Sequence, residues 1–105
     1  MERINKFVRE TLQNDDNLMC IGGCRNSVSK IRSQINEKYP SVETQILVYP
    51  EAKKGDGVHY SLLVKDNGQE SLINTVKAPG FPVYIGEPEK APPTFQTMKI
   101  VREVI

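Results

Sequence analysis

The chain holds one histidine, His59, and two cysteines, Cys20 and Cys24. A thiol and an imidazole are a minimal pair for nucleophilic chemistry near neutral pH: the neutral ring takes the thiol proton, and the imidazolium and thiolate then stabilise each other. A third group that accepts a hydrogen bond from the far ring nitrogen fixes the tautomer and aim of the base. The question is whether the chain's elements bring such groups together.

Residues 24–38 give the clearest helical pattern, with Cys24, Val28, Ile31 and Ile35 on one stripe and mostly charged or polar residues on the remaining arc. Pro40 disfavours continuation past residue 38 or 39. Cys24 sits in the first turn, where the positive end of a helix favours a thiolate and an unpaired backbone N–H can donate to an oxyanion. Gly22 and Gly23 allow close approach just before it. A second oxyanion donor is less clearly marked; Asn17 and Gln13 are the residues to hand. An earlier amphipathic helix is expected over 2–13, from Ile4, Phe7, Val8 and Leu12, followed by a polar break at 14–17 and a short apolar run at 18–21.

Three strands are expected next, over 42–49, 58–65 and 69–76, the last two joined through Asp66-Asn67-Gly68. With Asn67-Gly68 as a two-residue turn, Asp66 faces Gln69, Ser61 faces Asn74 and His59 faces Val76. Alternation then places His59, Ser61, Leu63, Leu72, Asn74 and Val76 on one face. His59 and Asn74 become diagonal neighbours, about 7–8 Å apart at the backbone and closer at the side chains. If the 24–38 helix packs on the face of Leu63 and Leu72, the Cys24 thiol lies beside His59. Beyond residue 76, an edge strand is expected at 83–85, then a proline-rich link over 88–93. Residues 95–105 read equally as helix or strand.

Length and composition frame these elements. At 105 residues, with 38% apolar and 26% charged residues, the chain is expected to fold as a single α+β domain over 1–105, with N-terminal helices packed on a small antiparallel sheet. Fourteen basic residues against thirteen acidic ones, scattered without a stripe, argue against a nucleic-acid partner. No apolar run approaches the ~18 residues that span a bilayer, and the N-terminal stretch lacks a secretory core, so no membrane partner is expected.

The stretch 24–81 resembles the papain fold toxin domains, small papain-like cysteine-peptidase folds of bacterial polymorphic toxins. The matching pieces are C-R-N-S-V-S-K-I at Cys24, H-Y-S-L-L-V at His59, D-N-G-Q-E at Asp66 and L-I-N-T-V-K-A-P-G at Leu72. The resemblance implies a minimal papain-like fold and a triad of Cys24 as nucleophile, His59 as base and acid, and Asn74 as orienting group. It implies attack on an amide carbonyl through a thioester, as in a peptidase, deamidase or acyl transferase, without a cofactor. It also implies a protein or peptide substrate, and an immunity or inhibitor protein as a second partner. The chain would act in the cytoplasm of the producing cell or be delivered into a target cell as part of a larger effector; no delivery segment is legible. The toxin-type domains carry Asp where this chain has Asn74, so Asn74→Asp is expected to preserve or raise activity.

Other readings compete. Cys24 and Cys20 are also read as small core residues, His59 as a half-buried strand residue, and Asn74 as a polar group satisfied by backbone. Cys20, Cys24 and His59 supply three soft ligands for zinc but no fourth, so no metal is expected. A Cys20–Cys24 disulfide needs an oxidising compartment. The loop 53–57 is most simply solvated, although it leads towards His59, and Phe81, Pro82 and Tyr84 are read as core, edge packing or the wall of a cleft. A catalytically inactive domain that binds a protein partner is the alternative function.

Overall fold

The computed structural model describes residues 1–14, 24–49, 58–77, 80–97 and 101–103, and for Cys24, Thr97 and residues 101–103 the backbone alone. Helix α1 spans Glu2–Asn14, with Glu2 in the first turn opposing the positive end of the helix. Ile4, Val8 and Leu12 recur every four residues along it and are buried. Helix α2 spans Cys24–Lys38 and buries Val28, Ile31 and Ile35. Its end is as expected: Tyr39 N–H still donates to Ile35 O at 2.7 Å, and Val42 N–H closes a turn onto Tyr39 O at 3.1 Å across Pro40.

Strands β1 (Glu43–Tyr49), β2 (His59–Asp66) and β3 (Gln69–Asn74) form the centre of a five-stranded antiparallel sheet. β4 (Tyr84–Gly86) pairs with β3 at one edge and β5 (Val101–Glu103) with β1 at the other. The β2–β3 register is the expected one, with Asp66 opposite Gln69 and Leu63 opposite Leu72. The turn that sets it has two positive φ angles, 53° at Asn67 and 79° at Gly68, whose twist matches that of paired strands.

Each face of the sheet carries its own core. Helices α1 and α2 cover Ile46, Leu62, Val64 and Ile73 on one face. On the other, Leu47, Tyr49, Leu63 and Leu72 pack against Phe81, Ala91 and Phe95 from the segment after β3. That segment contains a 3-10 turn over Pro88–Lys90 and a short helix α3, Thr94–Thr97. Of residues 95–105, undecided by period, 95–97 end a helical turn and 101–103 supply β5, while 98–100 and 104–105 lie outside the described residues. The architecture is α+β.

Candidate functional site

His59 opens β2 and Asn74 closes β3 at the same end of the sheet. The register that places Leu62 opposite Ile73 leaves them on one face, and their side chains meet with His59 Nε2 2.7 Å from Asn74 Oδ1. Both are buried, Asn74 completely. The carboxamide cannot be turned around, because Asn74 Nδ2 donates to Pro82 O at 2.7 Å and to Phe81 O at 3.3 Å. Its oxygen therefore faces the ring as an acceptor, and Nε2 must carry the proton. The lone pair of the neutral imidazole is left on Nδ1, to which no described residue hydrogen-bonds.

Aromatic rings hold the imidazole in place. Phe81 stacks on it with centroids 4.7 Å apart and planes inclined by 20°, and the Tyr49 ring lies 6.0 Å away. Burial pushes the His59 pKa down, and the hydrogen bond to Asn74 offsets part of that shift. The ring is therefore in its proton-accepting form at neutral pH. On the same face, Ser61 Oγ donates to the Tyr49 hydroxyl at 3.3 Å. Burial raises the Tyr49 pKa, against a smaller lowering by Ser61, so the phenol stays protonated.

Phe81 and Pro82, expected as core, edge packing or the wall of a cleft, also supply carbonyl partners to Asn74, which the sequence reading does not include. The signal for this role is the Gly80-Phe81-Pro82 run: Gly80 has φ 81° and faces Thr94, which donates from Oγ1 to Gly80 O. The chain thereby turns back so that two consecutive carbonyls reach Asn74. The expected edge strand also shifts by one residue, leaving Val83 exposed.

The expectation for α2 is corrected in one respect. Its stripe packs on the face of Leu62, Val64 and Ile73, opposite that of His59 and Asn74. The condition that would set the thiol directly beside the imidazole, packing on the Leu63 and Leu72 face, is not met. α2 nevertheless begins at the His59 end of the sheet: the Arg25 guanidinium lies 5.3 Å from the Tyr60 ring, while Arg32 Nε, two turns on, donates to Thr44 Oγ1 near the other end. The Cys24 backbone opens the helix there; its side chain lies outside the described residues, as do Asn17, Cys20, Gly22, Gly23 and the loop 53–57. Gln13 is exposed near the end of α1. Among the described residues, no group of three His, Cys, Asp or Glu is placed to hold a metal ion, and no helix is long and apolar enough to cross a membrane.

No family model matches the chain, and comparison with curated proteins and with solved structures returns no match.

Proposed function

We propose that the domain is a papain-like cysteine hydrolase acting on amide bonds, with Cys24 as nucleophile, His59 as base and acid, and Asn74 as the group that orients the histidine. The observation that carries this reading is the anchored carboxamide of Asn74, which holds His59 as a neutral ring with its lone pair on Nδ1. Nδ1 takes the Cys24 proton and the thiolate attacks the carbonyl carbon. The oxyanion is met by the backbone N–H of Cys24 at the start of α2, with Asn17 as the second candidate donor. The imidazolium then protonates the leaving amine, and water, deprotonated by the same nitrogen, releases the acyl group from the thioester. Because α2 and His59 lie on opposite faces, thiol and imidazole have to meet around the end of β2.

A protein or peptide substrate, an immunity or inhibitor protein as partner, and a place in a toxin or effector working in the producing or a target cell belong to the same proposal. They rest on the motifs at Cys24, His59, Asp66 and Leu72. A second reading, a catalytically inactive domain that binds a protein partner, is favoured by the packing of α2 away from the His59 face.

Incubation with p-nitrophenyl acetate separates the two. The hydrolase reading predicts an acetyl group trapped on Cys24, found by peptide mapping, and its loss in His59→Ala. Absence of acetylation at Cys24 in the unmodified protein supports the binding domain.

A further inference from the structure

The sheet face that carries His59 and Asn74 also carries a groove of about 350 Å³. Leu47, Leu63, Leu72 and Phe95 form its floor, and Tyr49, whose ring lies 6.0 Å from that of His59, walls it on the side of the histidine. The exposed carboxylates of Glu70 and Glu89 stand at its rim. We propose that this groove takes a lysine or arginine side chain of the substrate chain, an inference that rests on the reading of His59 as the base of a cysteine hydrolase.

The chemistry of the groove matches that side chain at both ends. An aliphatic stem lies against leucine and phenylalanine carbons, and its cationic head reaches the rim, as long basic side chains do along apolar surfaces. The fold already holds an ammonium group at this rim: Lys65, opposite Glu70 in the register, places Nζ 3.7 Å from Glu70 Oε2. No described cation lies within ion-pair distance of Glu89, which leaves a carboxylate for an incoming one. An acidic rim also disfavours an acidic side chain. Leu63 stands four residues along β2 from His59, about 13 Å at roughly 3.3 Å per residue. An extended substrate would therefore fill the groove with a residue about four positions from the reacting amide.

The test is binding without reaction, using the full chain with Cys24→Ala and three blocked tripeptides, acetyl-Gly-X-Gly-amide, in which X is lysine, its uncharged analogue norleucine, or glutamate. Methyl resonances of Leu47, Leu63 and Leu72 report occupancy. The lysine peptide is expected to shift all three and to bind about five-fold or more tightly than the norleucine peptide, with glutamate weakest. Glu89→Gln is expected to remove most of the lysine advantage. Equal affinity for lysine and norleucine, or shifts confined to other residues, would overturn the proposal. Since no bond is made, this outcome is independent of Cys24 acetylation, whose absence would defeat the hydrolase reading instead.

Discussion

At the scale of the residue, Asn74 performs a task that aspartate cannot. Its oxygen accepts from His59 while its nitrogen donates to Phe81 O and Pro82 O, so the amide joins the imidazole to the segment that stacks over it. Asn74→Asp removes both donors and turns a carboxylate oxygen toward two carbonyls; the buried Phe81 O loses a partner worth about 1–3 kcal/mol, and the Pro82 O, on an exposed residue, loses less. The expectation drawn from the toxin-type domains, that Asp preserves or raises activity, concerns the reaction, whereas this cost falls on the stability of the fold. Asn74→Asp should unfold at a urea midpoint well below that of the unmodified protein, and its carboxylate should raise the His59 pKa, read from the imidazole proton shifts. An unchanged midpoint would show that the carbonyls of Phe81 and Pro82 do not depend on Asn74.

His59 is the chain's single histidine, so its linkage to folding can be read in isolation between about pH 7 and 5. Burial holds its folded pKa below the usual value of about 6.5. As the pH falls through that value the unfolded chain takes up the proton first. The stabilisation is thus complete above about pH 6.5, is lost as the pH drops towards the folded pKa, and levels off below it. His59→Gln should flatten the stability profile across this window in urea titrations. A slope that survives the substitution would assign it to other groups.

At the scale of the element, the β2–β3 hairpin was legible and the position of α2 was not, for one physical reason. The Asn67-Gly68 turn fixes register locally, so the shared face of His59 and Asn74 follows from counting. β2, however, is apolar on both faces, with Leu62 and Val64 on one and Leu63 on the other, and alternation cannot say which face receives a helix. The second core is closed by Phe81, Ala91 and Phe95, from a segment whose prolines and glycine mask its packing role in the sequence. The turn itself is open to test. Gly68 has φ 79° and nothing within 4 Å of an added Cβ, so Gly68→Ala introduces backbone strain without a clash. A loss of about 1–2 kcal/mol is expected from urea unfolding. A neutral effect would show that the turn relaxes to another type.

At the scale of the whole molecule, a sheet with two covered faces places His59 in one layer and the helix that Cys24 opens in the other. The proposed hydrolase requires Cys24 and His59 nevertheless to act together at the end of the sheet. The most direct measurement is the pH dependence of iodoacetamide alkylation at Cys24, located by peptide mapping, in the unmodified protein and in His59→Ala. Cys20 serves as the reference thiol within the same chain. In the proposed hydrolase, Cys24 is expected to react with an inflection well below the ordinary thiol value of about 8.5, and His59→Ala to return it to that value while Cys20 is unaffected. Identical profiles for Cys24 in the two proteins, both near the ordinary value, would contradict it and leave the His59–Asn74 pair as part of a binding domain.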